Sequence, residues 1–122
     1  VHTLIMWDAD NTFYSAQLPT NDWGAGTVLM EKLMSLAEYA ALYRAELERC
    51  VELAEADNWL DTEIIRQVQR IDTAMKEDPN KPFVNASYEG AAGTMLNFAR
   101  ARAAFVKCEL ANGANHPSCR SQ

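Results

Sequence analysis

The chain has 122 residues, of which 48% are hydrophobic, and this length and composition fit a single compact domain. The formal net charge is -6 and no run of Lys or Arg occurs, which argues against a nucleic-acid partner. No apolar stretch approaches the ~20 residues that a transmembrane helix requires. Because Val1 already stands at the edge of an apolar segment, we expect the chain to be part of a longer protein.

The first predicted element is a short buried strand over residues 4–7, where four apolar residues occur in succession. Residues 15–26 are rich in Pro, Asn, Asp and Gly and predict a loop. Residues 27–34 predict one short helix. Ser35 with Glu38 three positions later has the pattern of a capping box, which predicts the start of a second helix.

Two further helices are predicted in the second half of the chain. The sequence "EADN" predicts a break, after which Asp61 or Thr62 is expected to cap a third helix that ends before Pro79. Residues 83–93 predict a connection that holds at most a helical turn. A fourth helix follows, with Gly113 placed as its C-cap. The predicted fold class is therefore mainly α, with one N-terminal strand followed by about four helices.

The sequence "LIMWDADNTFY" carries the strongest functional signal. Asp8 and Asp10 are spaced i, i+2 at the end of the predicted strand, so their carboxylates are expected on the same side of the chain. Asx residues at this position often only cap a turn. The apolar lead-in, the second Asp and the following Thr12 favour a functional pair, either as metal ligands or as a nucleophile and an acid.

One functional interpretation is a phosphatase. The stretch "LIMWDADNT" resembles the first motif of haloacid dehalogenase-type phosphatases, an apolar strand followed by D-x-D-x-T. This resemblance implies Asp8 as the nucleophile that accepts the phosphoryl group and Asp10 as the general acid, with magnesium present. The chain would then be the N-terminal strand and helical cap of such an enzyme.

The other interpretation covers residues 4–110. The succession "LIMWDADNTF", "WGAGTVLMEKLM", "AEYAALYRAEL", "QVQRIDTAMKEDP" and "MLNFARARAAFVKCEL" resembles the C-terminal half of the CotH family, the spore coat protein H kinases. These proteins are atypical relatives of protein kinases. Their signature W-D-x-D-x-T-F-G ends in Gly, whereas Tyr14 stands there in this chain.

The CotH resemblance implies that residues 1–112 are the C-terminal part of a kinase domain and that residues 113–122 are a tail. It implies Mg²⁺ and ATP as cofactors, Asp8 and Asp10 as metal ligands, and Asn11 and Thr12 as supports of the loop. The reaction implied for the intact protein is transfer of the γ-phosphoryl group to a protein hydroxyl.

The same resemblance places the phosphate-gripping Lys and the catalytic Asp upstream, so no catalytic residue is expected in this chain and no activity from the chain alone. The implied protein substrate belongs to a spore coat or a cell surface. Because some CotH-like proteins are cell-surface ligands, a non-catalytic surface module is a third interpretation.

Several residues outside this motif carry further predictions. Cys108 and Cys119 flank a turn-rich stretch that a disulfide could close, and Cys50 is interpreted as a small buried residue of the second helix. Asn85 begins the N-glycosylation sequon "NAS". Together with the family's habits, these features favour an extracellular, cell-surface or spore-coat location. Arg102, inside an apolar stripe, is expected to pair with a carboxylate of a neighbouring helix, with a phosphate as the alternative.

Overall fold

The computed structural model describes residues 13–22 and 27–120, and this part of the chain is mainly helical, as the sequence predicts. Its four α-helices are α1 (Val28–Met34), α2 (Ala37–Glu55), α3 (Trp59–Glu77) and α4 (Asn85–Asn112). Two short 3₁₀ turns, Ala56–Asn58 and Pro117–Cys119, follow α2 and α4. The strand predicted at residues 4–7 lies outside the described residues, and the kinase-lobe resemblance stays a prediction.

The predicted capping box does not cap α2. This helix begins at Ala37 with Leu36 as its N-cap, and no side-chain cap bond is made there. The hydroxyl of Ser35 instead donates to the carbonyl of Lys32 at 2.8 Å, within the last turn of α1. Because α1 ends directly before α2 begins, Ser35 serves the end of one helix rather than the start of the next.

Helix α3 also begins earlier than predicted, at Trp59 rather than after Asp61 or Thr62. Its N-cap, Asn58, has φ 53° and ψ 38°, and the preceding Asp57 has φ 52°. Two successive residues with left-handed backbone join the two helices. Helix α2 contacts the second half of α4, whereas α3 contacts its first half, where Val68 meets Tyr88. Asp61, now within the first turn, pairs with Arg100 of α4 at 2.6 Å.

Helix α4 is longer at its N-terminus than predicted, because residues 85–93 are helical rather than a connection. The side chain of Tyr88 is buried, and its hydroxyl donates to the carbonyl of Val68 on α3 at 3.2 Å. This contact with α3 offsets the helix cost of Gly90 and Gly93, about 1 kcal/mol each. At the other end, Gly113 has φ 95° and is the C-cap, as predicted.

Helix α4 is the centre of the fold and packs against both α2 and α3. The core cluster joins Val51 of α2 to Ala103 and Val106 of α4, and the half-buried Leu47 and Leu110 pack against it. At the far end of α2, Lys107 of α4 pairs with Glu55 at 2.5 Å. The surface of α4 that faces residues 13–22 carries the polar contacts described below.

Candidate functional site

The residues that the sequence singles out as metal ligands and loop supports lie outside the described residues: Asp8, Asp10, Asn11 and Thr12. Within residues 13–22 and 27–120, no group of three or more His, Cys, Asp or Glu side chains is arranged to hold a metal ion. The carboxylates of Asp8 and Asp10 are oxygen ligands of the kind that Mg²⁺ prefers. The described structure begins directly after them, at Phe13.

Phe13 attaches the end of the motif to α4. Its ring packs edge-on against the ring of Phe98, with the ring centroids 5.1 Å apart and the planes at 85°. Such edge-to-face pairs contribute about 0.5–1.5 kcal/mol beyond the apolar area that they bury. Phe98 therefore fixes the chain one residue after Thr12.

Arg102 holds the next part of the same segment, which we call the anchored loop (residues 13–22). Its guanidinium donates hydrogen bonds to the backbone carbonyls of Ala16, at 3.0 Å, and Leu18. It also lies 5.4 Å from the ring centroid of Phe105. The prediction that Arg102 pairs with a carboxylate of a neighbouring helix is thus replaced by bonds to the loop backbone.

Glu109 holds the far end of the anchored loop and is 2% exposed. One carboxylate oxygen, Oε2, accepts the backbone N–H of Thr20 at 2.7 Å. The other oxygen, Oε1, accepts the backbone N–H of Asn115 at 2.6 Å. The hydroxyl of Tyr43 on α2 donates to the carbonyl of Thr20 at 2.5 Å, so both backbone groups of Thr20 are bonded.

The three ionisable side chains around the anchored loop affect one another. Burial raises the pKa of the Tyr43 hydroxyl, against the lowering effect of Arg102. Burial lowers the pKa of the Arg102 guanidinium, and the negative charge of Glu109 partly opposes this. Arg102 and Glu109 therefore offset each other's charge while their hydrogen bonds go to the backbone of the loop.

The disulfide considered from the sequence is present, and it joins Cys108 of α4 to Cys119. Cys119 is 1% exposed, and residues 113–120, which we call the C-terminal turn, fold back along the end of α4. Cys50, expected to be buried, is exposed. Asn85, the sequon residue, is exposed at the first position of α4.

A second feature of the described residues is an apolar groove of about 670 Å³ between α3 and α4. Its walls include Trp59 and Ile71, which are 57% and 44% exposed. Glu63 is the one charged residue among those that line it, and hydrogen bonds from Arg66 and Gln67 lower its pKa to about 2. The described residues that line it include no Lys or Arg, the side chains that most often bind phosphates.

Comparisons of the chain with protein-family models, with curated proteins and with solved structures found no match. Among the described helices, none is long and apolar enough to cross a membrane. The description of the site therefore rests on the residues of this chain alone. The sequence marks Arg102 as a charged residue inside an apolar stripe, and Glu109, near the end of the same helix, is a second charged residue of this kind.

Proposed function

We propose that this chain is the C-terminal portion of a CotH-like kinase, in which Asp8 and Asp10 bind the Mg²⁺ of Mg·ATP. The intact protein transfers the γ-phosphoryl group of ATP to a hydroxyl of a protein substrate. The observation that carries the proposal is that α4 holds the segment directly following the D-x-D-N-T motif. Phe98, Arg102 and Glu109 provide this attachment.

Attachment of this kind suits phosphoryl transfer because catalysis there is almost entirely positioning and charge stabilisation. When bound, Mg²⁺ offsets the negative charge of the phosphate oxygens. In this proposal the chain supplies the two carboxylates of Asp8 and Asp10 from a segment that is attached to α4 at Phe13. The edge-to-face contact of Phe13 with Phe98 lies three residues after Asp10 in the sequence.

One departure from the family signature is accommodated at Tyr14, which stands where CotH-like sequences carry Gly. Tyr14 does not have a positive φ, so its backbone does not require Gly. Its side chain is 83% exposed and requires no space inside the fold.

We also propose a location outside the cytosol, at a cell surface or in a spore coat. Two features support it: the Cys108–Cys119 disulfide, since such bonds persist mainly in oxidising compartments, and the exposed sequon residue Asn85. These features suit a non-catalytic surface ligand equally well. The exposed apolar groove adds to that second candidate, because large apolar patches commonly mark contact sites for other molecules.

The test is incorporation of labelled γ-phosphate from ATP by the protein encoded by the complete reading frame around this segment. We expect magnesium-dependent labelling of protein hydroxyls that falls at least about 100-fold in Asp8→Asn, because loss of charge stabilisation at the phosphates commonly costs this much. Glu52→Gln is the matched control, since it removes one exposed carboxylate of α2 without altering the anchored loop.

The chemical nature of the label separates the alternatives. A phosphate ester on a hydroxyl resists hydroxylamine, as the kinase proposal requires. Label on Asp8 itself, released by hydroxylamine as an acyl phosphate would be, contradicts that proposal and supports the phosphatase. Absence of incorporation by the complete protein contradicts the kinase and leaves the surface ligand and the phosphatase, because a phosphatase hydrolyses its acyl phosphate in each turnover.

A further inference from the structure

The C-terminal turn is joined covalently to α4 at one point, the Cys108–Cys119 disulfide. Residues 111–118 are exposed, and Cys119 is the buried residue of the turn. Cys119 is bonded to Cys108, which lies one position before Glu109 on α4. The disulfide therefore sets where the turn passes relative to the Glu109 carboxylate.

The C-terminal turn also contacts the anchored loop directly. The side-chain amide of Asn115 donates to the side-chain oxygen of Asn21 at 2.8 Å. The side-chain amide of Gln17 donates to the carbonyl of Arg120 at 3.3 Å. The two segments thus meet at the middle and near the end of the loop, although they are far apart in sequence: Gln17 and Arg120 are 103 positions apart.

Glu109 connects the two segments through one carboxylate. Its Oε2 accepts from Thr20 of the loop and its Oε1 from Asn115 of the turn. Two N–H donors hold a buried carboxylate in one orientation more firmly than one donor does. Loss of the Asn115 bond would leave one oxygen without that donor and free the side chain to rotate, which would weaken its bond to Thr20.

We propose that the Cys108–Cys119 disulfide is a redox-sensitive restraint on the anchored loop, acting through the C-terminal turn and Glu109. When the bond is intact, the turn supplies the Asn115 donor and the contacts to Asn21 and Gln17. When it is reduced, the turn separates from α4 and the loop becomes mobile. This inference concerns the order of the loop and does not depend on the proposed kinase activity.

The reductant is a dithiol. One of its thiolates attacks the sulfur of Cys108, which is the more exposed partner, and Cys119 leaves as a thiolate that takes up a proton. The second thiol of the reductant then displaces Cys108 from the mixed disulfide. The S–S bond of the protein is broken, a cyclic disulfide forms in the reductant, and two electrons pass to the protein.

The test is amide hydrogen exchange of the full chain, followed by mass spectrometry, with and without dithiothreitol. Reduction is expected to speed exchange of the peptide covering residues 15–22 by roughly tenfold or more, the effect of losing one hydrogen bond to a charged group. A peptide within α3 (Trp59–Glu77) is expected to keep its rate. The chain carries Cys50→Ser throughout, so that thiol exchange with this exposed cysteine does not occur.

Two variants make the result specific. Cys108→Ser with Cys119→Ser should reproduce the reduced behaviour without reductant, and dithiothreitol should then have no further effect. Asn21→Ala, with the disulfide intact, should raise the exchange rate of the loop by a smaller factor. Unchanged exchange of residues 15–22 on reduction overturns the proposal. Equal acceleration in α3 also overturns it, because the disulfide would then support the whole fold and not the loop.

Discussion

Glu109 is the charged side chain that the described fold buries most deeply, and its two hydrogen bonds explain how it is accommodated. An ionised carboxylate offers acceptors only, which suits the two backbone N–H groups that approach it. Glu109→Gln keeps the volume but turns an NH₂ group toward one of those donors. We expect the free energy of unfolding to fall by about 1–3 kcal/mol, the cost of leaving a buried polar group unsatisfied.

This change is measured by urea unfolding of the two proteins under the same conditions. Glu52→Gln serves as the control, because Glu52 is exposed on α2 and its change should alter stability by less than about 0.5 kcal/mol. Equal unfolding midpoints for Glu109→Gln and the control would contradict the role assigned to Glu109.

At the scale of secondary-structure elements, the junction of α2 and α3 depends on left-handed backbone at Asp57 and Asn58. Left-handed conformation costs roughly 1–2 kcal/mol for most residues, less for Asn and least for Gly. Asn58 is exposed, so a substitution there changes the backbone cost without removing packing. We expect Asn58→Val to lower the free energy of unfolding by about 1–2 kcal/mol, while Asn58→Gly leaves it nearly unchanged.

The neighbouring Ala56 provides the comparison. Its φ of -56° is open to any residue, so Ala56→Val should be tolerated although it lies two positions from Asn58. Thermal unfolding of the three variants beside the parent chain gives the ranking. A chain in which Asn58→Val and Ala56→Val have the same midpoint would show that the junction does not require left-handed backbone at residue 58.

The helices themselves were predictable because apolar residues recur with helical spacing, whereas the starts of α2, α3 and α4 were not. The Ser35 pattern failed because α1 and α2 follow each other closely, and the hydroxyl is used by α1. The sequence predicts a connection over residues 83–93, but α4 already begins at Asn85. Burial of Tyr88 against α3, which local sequence does not encode, makes this stretch helical.

In the candidate site, too, some features could be predicted from the sequence and others could not. The end of α4 at Gly113 and the pairing of Cys108 with Cys119 could be inferred from local sequence. The contacts of Arg102 and Glu109 with the anchored loop join residues more than eighty positions apart. Their partners are backbone groups, which every residue possesses, so no residue type in the loop could have indicated them.

At the scale of the whole molecule, the two halves of α4 have different roles. The second half packs on α2 and holds the anchored loop through Arg102 and Glu109, and the first half forms the apolar groove with α3. Because the formal net charge is -6, a divalent cation is attracted weakly to the whole protein surface. A specific metal site at the motif must therefore be distinguished from this general attraction.

The most direct test of the central claim is paramagnetic line broadening of the ¹⁵N-labelled chain by Mn²⁺, used as a substitute for Mg²⁺. We predict that the amide signals of Asp8 and Asp10 broaden first in the parent chain and that, among the described residues, those of Phe13 and Tyr14 follow. This selective broadening should be lost in Asp8→Asn and retained in Glu52→Gln. Broadening that is the same in Asp8→Asn as in the parent, or that affects exposed carboxylates across the surface before Phe13, would contradict a metal site formed by Asp8 and Asp10.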